Sequence, residues 1–267
     1  MTEPDTHNPL ADLILQNRSQ KPRTQGITMM ADWGLDLSRQ TELLSVAGPF
    51  VDLAKIAVGI GALLPLEILR AKLEDYRAHQ ITPFPGGQFL EHAVLHDKTE
   101  TYLQALVEVG FDCIEVSDNL LEISLDEKTK LIHLCREQYG LRVLGEVGKK
   151  DGLESSNDLA DDAFRCLEAG SDWLFLEAAD FFSGEVNETA LEKIIDRCGP
   201  KPLVFELPGP WIKGVTLSDV HEMTLWLLNR FGSEANIANV SADDVIKLEA
   251  LRLGLGVNAG GDGDSNE

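Results

Sequence analysis

The sequence predicts an α/β protein: one domain in which eight parallel strands, each followed by a helix, close into a (β/α)8 TIM barrel. Three observations predict it. Short β-type apolar runs alternate with helix-length amphipathic stretches eight times along the chain. Gly110, Gly140, Gly170 and Gly232 each follow a helical stretch, where helix C-terminal caps belong. The length of 267 residues suits a fold that uses about 250 residues as one unit.

The first apolar run is Ile27–Ala31, with a helix over Leu37–Ala47. The second is Phe50–Ile56, and its helix spans 65–79, where Pro65 suits a first helical turn. The third is Ile81–Phe84, followed by a helix over Thr99–Val109. The fourth, Asp112–Val116, precedes a helix that starts near Asp126, with Ser124 and Glu127 forming a capping box. The fifth is Leu141–Val147 with a helix over Asp158–Glu168, and the sixth is Trp173–Leu176 with one over Glu188–Arg197. Leu203–Phe205 and Leu217–Phe231 make the seventh unit. The eighth strand is the least marked, Ala235–Ala238 before a helix at Ala242–Leu253. No Pro- or Gly-rich linker divides residues 26–256, which read as the barrel. Residues 1–25 are polar and aperiodic and read as a flexible arm. Residues 257–267, rich in Gly and Asp, read as a disordered acidic tail. A doubly wound open sheet is the alternative arrangement of the same elements.

Hydrophobic residues make up 43% of the chain, enough for a full core. Against 23 basic residues stand 45 acidic ones, a net charge of −22. That balance argues against nucleic acid or an anionic membrane as partner, since both need a basic footprint. Spread along the whole chain, it reads as a strongly solvated surface. No apolar run reaches 18 residues, and no basic start leads into an apolar stretch, so neither a spanning helix nor a secretory leader is expected. Cys113, Cys135, Cys166 and Cys198 lie far apart and read as reduced thiols of a cytoplasmic protein.

In such a barrel, polar residues at the C-terminal strand ends line the mouth where substrates bind. In chain order these are Asp32, Lys55, Gly86 and Gly87 with Glu91, then Glu115, Ser117 and Asp118. Glu146, Lys149 and Lys150 follow, then Glu177 with Asp180, then Glu206, and finally Asn236 and Asn239. One strand-end carboxylate is as readily a helix cap. Their recurrence at one structural position points to a site. So many carboxylates around one mouth repel each other unless cations intervene. Lysines supply some positive charge. Oxygen donors without a His or Cys cluster suit Mg²⁺ better than zinc. The six histidines read as surface residues, with His92 beside Glu91 as the one candidate exception. Gly86-Gly87 is either a tight turn or a close backbone approach to a ligand. Asn236 and Asn239 precede a helix start, where barrels often bind phosphate. A small anionic substrate fits this set.

At these residues the chain resembles the phosphosulfolactate synthase family across roughly Gly26–Gly254. The matching segments are Pro85-Gly-Gly87 with Glu91, Gly110-Phe-Asp-Cys-Ile-Glu-Val-Ser-Asp118, Gly145-Glu-Val-Gly-Lys-Lys150, Phe205-Glu206, Phe231-Gly-Ser233 with Asn236-Ile-Ala-Asn239, and Asp244-Val-Ile-Lys-Leu-Glu-Ala-Leu-Arg252. The resemblance implies a (β/α)8 lyase, running in the synthetic direction, that adds sulfite to phosphoenolpyruvate with Mg²⁺ on a route to coenzyme M. It also implies a homo-oligomer. Lys150 matches the proton donor, with Glu146 and Lys149 beside it, and Glu115, Glu146 and Glu177 fall to the metal or its waters. Asp32, Lys55, Gly86, Gly87, Ser117, Asp118, Glu206, Asn236, Asn239 and Arg252 then fall to substrate binding.

The sequence also departs from that family. Trp33 stands where the family has lysine, Ala179-Asp180 where it has Arg-Glu, and Gly256 where it has a second arginine. After strand 2 the family's Lys-Phe-Gly-Trp-Gly-Thr run becomes Lys55-Ile-Ala-Val-Gly59-Ile, and Pro208-Gly-Pro-Trp211 replaces a Gln/Lys-rich segment. Each lost charge-assisted contact to an anion is worth about 1.5–3 kcal/mol, which Lys149, Lys213 or Arg252 would have to replace. Two alternatives therefore stay open. One is the same enolate chemistry on a larger, less anionic substrate, in a pocket lined by Trp33, Phe181, Phe182 and Trp211. The other is a non-catalytic, stress-related member, since Asn119-Leu-Leu-Glu-Ile resembles the plant heat-stress-associated branch.

Overall fold

Alternation of side chains along each strand builds this molecule in concentric layers. The computed structural model describes residues 8–14, 18–148, 158–182, 185–209 and 212–258. Its strands are β1 (Thr28–Asp32), β2 (Leu53–Ile56), β3 (Thr82–Pro85), β4 (Cys113–Val116), β5 (Arg142–Val147), β6 (Trp173–Glu177), β7 (Leu203–Glu206) and β8 (Ile237–Ser241). All pair in parallel in the order β3-β2-β1-β8-β7-β6-β5-β4, and the sheet curls into a nearly closed (β/α)8 barrel. Alternate residues Met29, Leu53, Phe84, Cys113, Leu144, Phe175, Val204 and Ala238 fill its interior. Their neighbours, such as Met30, Ala54, Ile114, Val143, Leu174 and Phe205, face outward and join the larger core under the helices. Each such large apolar side chain contributes about 1.5–3 kcal/mol by leaving water.

The seam between β3 and β4 has a cause in the sequence. Thr82 and Gly86 donate their N–H groups to Asp52 and Ile56 on the β2 side. In a parallel strand the intervening residues point the other way. Those residues are Pro83 and Pro85, which have no N–H to offer β4. Side chains span the seam instead: Gly87 N donates to Glu115 Oε2 at 2.7 Å, and Ser117 Oγ donates to Glu91.

The helices are α1 (Leu37–Ala47), α2 (Leu66–Ala78), α3 (Gly87–Leu95), α4 (Thr99–Val109), α5 (Leu125–His133), α6 (Leu159–Glu168), α7 (Ala179–Phe182), α8 (Glu185–Cys198), α9 (Leu217–Phe231) and α10 (Val245–Arg252). Ser124 and Glu127 cap α5 reciprocally, as their spacing predicts. Helix α3 was not expected. Gly86-Gly87, which reads as either a tight turn or a close backbone approach, starts this helix, and position 87 must be glycine because a Cβ there would lie 2.2 Å from Ser117 Oγ. The eighth strand begins at Ile237 and not Ala235, and it carries a bulge: Thr28 pairs with Ile237 but Met30 with Val240. No helix among the described residues is long and apolar enough to cross a membrane.

Two expectations need correction at the N-terminal face of the barrel. Residues 18–25 of the arm are held there, not loose: Arg18 binds Glu249 and Gly26 O, Arg23 binds Asp52, and Lys21 Nζ reaches Gly48 O and His79 O. Asn236 and Arg252, read as substrate ligands, lie at the end opposite the mouth. Asn236 Oδ1 accepts from Ile27 N, and its Nδ2 donates to Lys201 O and Leu203 O, stapling the starts of three strands. Arg252 is buried and donates to Ser233 O at 2.8 Å and Ala235 O at 2.6 Å. Of the acidic tail, residues 259–267 lie outside the described residues.

Arg252→Met orphans the buried carbonyl of Ala235 and the part-buried one of Ser233, which is expected to lower stability by about 3 kcal/mol. Urea unfolding measures that loss. Substrate KM should stay unchanged, and a raised KM would return Arg252 to the site.

Candidate active site

One step of two residues beyond the interior core, the strands end on a charged layer. Met29 leads to Ala31, Leu53 to Lys55, Phe84 to Gly86, Cys113 to Glu115, Leu144 to Glu146, Phe175 to Glu177 and Val204 to Glu206. Lys55 Nζ lies 2.8 Å from Glu115 Oε1 and 2.9 Å from Glu206 Oε1, over the Phe175 ring at 5.7 Å. Glu177 and Glu206 sit opposite each other in register. Glu146, Glu177 and Glu206 are buried, and one carboxylate oxygen of each lies within 4.8 Å of the others. Three ionised carboxylates that close together repel one another unless a cation or a shared proton lies among them. Asn119 Nδ2 donates to Glu146 Oε1 at 3.0 Å.

A cavity of about 250 Å³ opens above this layer, lined by Lys55, Gly86, Gly87, Glu115, Glu146 and Asn239 among others. A Cβ on Gly86 would lie 3.6 Å from Lys55 Cε and 3.8 Å from Glu115 Oε2, filling space that the glycine leaves open beside the charges. Asn239 is the extra residue of the β8 bulge, at φ +58°, a left-handed conformation that asparagine tolerates. A second cavity of about 270 Å³ adjoins the first and shares Trp33 and Asn239 with it; Leu207, Leu217, Val220 and Leu248 help line it.

Not every strand-end residue faces the mouth. Asp32 follows the inward Ala31 and so points outward, where it accepts from Lys72 Nζ at 2.8 Å, Tyr76 OH at 2.7 Å and the N–H groups of Gly34 and Leu35. Asp118 also faces the helices, paired with Lys128 at 3.0 Å. Ser117 is spent on Glu91, which further accepts from Leu120 N and Leu121 N. These three anchor the loops instead of reaching the mouth, which corrects their assignment to substrate. Within the expected metal set, Glu115 is turned to Lys55 and Gly87 N, and Glu206 joins Glu146 and Glu177 in its place. Phe181 is buried and Phe182 lies edge-on to Trp226, and neither is among the described residues that line these two cavities. His92 is exposed. Lys149, Lys150 and Trp211 lie outside the described residues.

Sequence reading missed Asn119, Lys72 and Lys128 as parts of this architecture. Lys72 and Lys128 are fully buried yet sit on helices whose pattern reads as amphipathic. The available signal was a lysine falling on the apolar face of its helix, one turn from buried leucine or isoleucine.

Comparison with known proteins adds to this geometry. The family model for (2R)-phospho-3-sulfolactate synthase (ComA) matches residues 16–258. Phosphosulfolactate synthase of Methanothermobacter thermautotrophicus is 29% identical over 256 residues, covering 91% of this chain and 95% of that protein. Its counterpart in Bacillus subtilis is 28% identical, covering 91% and 95%. The Arabidopsis thaliana protein HEAT-STRESS-ASSOCIATED 32 is 25% identical, covering 89% of each. Among solved structures, the YdjI aldolase of Escherichia coli K12 superposes with a TM-score of 0.54 at 13% identity, over 82% of this chain and 76% of that one. That likeness is one of fold alone.

Asp180, where the resembling family has glutamate, is pushed up to about 6 by burial, from an ordinary value of 3.8. The folded protein therefore holds this proton more tightly than the unfolded chain. Its protonated form adds stability that is full below about 3.8 and lost as pH rises through about 6. Asp180→Asn is expected to flatten that slope and to melt higher at pH 7, by about 1 kcal/mol. Thermal melts between pH 4 and 8 check it; parallel curves for the two proteins would refute it.

Proposed function

This chain belongs to the (2R)-phospho-3-sulfolactate synthase family, and from that membership we propose that it adds sulfite to phosphoenolpyruvate, with Mg²⁺ at its carboxylate cluster. The observation that carries the reading is the convergence of Glu146, Glu177 and Glu206 beside Lys55 at the mouth of the barrel. Their donor set is all oxygen, which is the hard-cation preference, and no thiol or imidazole joins the described cluster. Glu146, Glu177 and Glu206 would hold the ion. Mg²⁺ there would supply a Lewis acid for the negative charge that develops on the substrate carboxylate.

The rest of the chemistry falls to the chain's own residues. Sulfite sulfur bonds to the methylene carbon of phosphoenolpyruvate. The π electron pair moves toward the carboxylate, and a proton then arrives at the carbon that bears the phosphoester. Lys55, fixed between Glu115 and Glu206, places one positive charge at the cavity wall toward which the anionic acceptor lies. Gly86 and Gly87 keep that wall low enough for close approach. Asn239 also lines the cavity, and its carboxamide offers donors there. Lys150 delivers the proton, the role its match to the family gives it.

A second reading is favoured by one observation. The adjoining cavity has Trp33 where the resembling family has lysine, and it would accommodate an acceptor larger and less anionic than phosphoenolpyruvate.

The test is ³¹P NMR of the protein with Mg²⁺, phosphoenolpyruvate and sulfite, in which a new phosphoester signal is expected. Glu177→Gln and Glu206→Gln should each lower turnover by about 100-fold, since even indirect supports of a metal site cost 10–100-fold. Lys150→Ala should abolish product while leaving Mg²⁺ binding intact. No phosphoester from a protein that binds Mg²⁺ would rule out this substrate pair and leave the second reading.

A further inference from the structure

We propose that Asn119 and Lys128 are positioning residues that set Glu146 within the carboxylate cluster. One holds its carboxylate and the other holds its backbone. The inference rests on the reading of that cluster as a divalent-cation site.

Glu146 is the residue before the last of β5, where the ladder to the neighbouring strands is ending. Its carboxylate accepts from Asn119 Nδ2 at 3.0 Å. Its carbonyl oxygen accepts from Lys128 Nζ at 2.6 Å. The same ammonium donates to Asp118 Oδ1 at 3.0 Å and Asp162 Oδ2 at 2.9 Å, so all three of its donors are in use. Asp118 and Asn119 are consecutive. That dipeptide therefore grips Glu146 twice, directly through Asn119 and through Lys128 by way of Asp118.

Stability alone does not account for this arrangement. Lys128, Asp118 and Asp162 are all buried. Desolvating each such ion costs several kcal/mol, and apolar side chains of similar volume would hold α5 against α6 at least as well. What apolar groups cannot do is fix a strand-end carbonyl and carboxylate in one orientation. A cation site needs that, because ligand atoms must be held within roughly 0.5 Å of their working geometry. The lysine's third bond goes to the backbone carbonyl of a cluster residue, and that bond is what a purely packing role would not require.

The test uses the full chain and Mn²⁺ as probe, followed by calorimetric titration and by the electron paramagnetic resonance spectrum of the bound ion. Asn119→Ala and Lys128→Met are expected to weaken Mn²⁺ binding by about 10–100-fold and to alter the spectrum. Asn119→Ala should melt close to the wild type. Arg252→Met, a comparable buried lesion at the opposite end of the barrel, should melt lower yet bind Mn²⁺ as the wild type does. If Lys128→Met does not fold, Asn119→Ala decides alone. Wild-type affinity and spectrum in Asn119→Ala would overturn the proposal, and so would an affinity loss in Arg252→Met as large as in Lys128→Met. A wild type that binds Mn²⁺ but forms no phosphoester overturns the substrate pair and leaves the positioning roles supported. A wild type that binds no Mn²⁺ overturns the cation site and this inference together.

Discussion

A β-strand points its side chains alternately to its two faces, and in a barrel one face is the interior. Everything functional in this protein depends on that alternation. The interior layer of Met29, Leu53, Phe84, Cys113, Leu144, Phe175, Val204 and Ala238 closes the barrel as a solid core. Two residues on, the same face must surface at the mouth, and there the chain places Lys55, Glu115, Glu146, Glu177 and Glu206. A shift of one residue in β4, β5, β6 or β7 would turn its glutamate away from the mouth toward the helices. The core and the charged layer therefore specify each other.

The outward-facing polar residues form a second tier with a different task. Asp32 meets Lys72 and Tyr76 of α2, and Asp118 meets Lys128 of α5 and Asp162 of α6. Glu91 of α3 gathers Ser117 and the following backbone N–H groups. Each is a buried charge whose desolvation is offset by several hydrogen bonds to the charged form. Each also ties a strand-end loop to the helix behind it. The layer at the mouth is thus backed by polar contacts where it would otherwise rest only on hydrophobic packing. The proline pair of β3 leaves the β3–β4 seam without donors from β3, and Glu115 helps to bridge it while also pairing with Lys55.

The order of elements, most strand positions and the glutamates and Lys55 of the mouth were legible from residue type and periodicity. Leu37–Ala47, Thr99–Val109 and Leu217–Phe231 form helices over the spans their patterns predict. The division of polar residues into inward and outward was legible in principle, because Ala31 and Asp32 cannot both face the mouth. Polarity and nearness to a strand end do not carry that parity, and so Asp32 and Asp118 read as ligands. Asn236 and Arg252 misled for another reason. Asn236 lies close to the last strand, but β8 starts after it, and Arg252, which the resemblance implied, ends α10, the helix that returns the chain to the opposite end of the barrel.

By itself the sequence determined the barrel, its eight units and the glutamates and lysine that its strands carry to one end, because periodicity and residue type are local properties. The tertiary structure alone decided which three carboxylates converge, since Glu146, Glu177 and Glu206 come from separate strands and meet only through register and curvature. It also decided that Glu115 belongs to Lys55, that Lys128 reaches the carbonyl of Glu146, and that Trp33 stands between two cavities. Those are distances between residues far apart in the chain, and no local pattern encodes them.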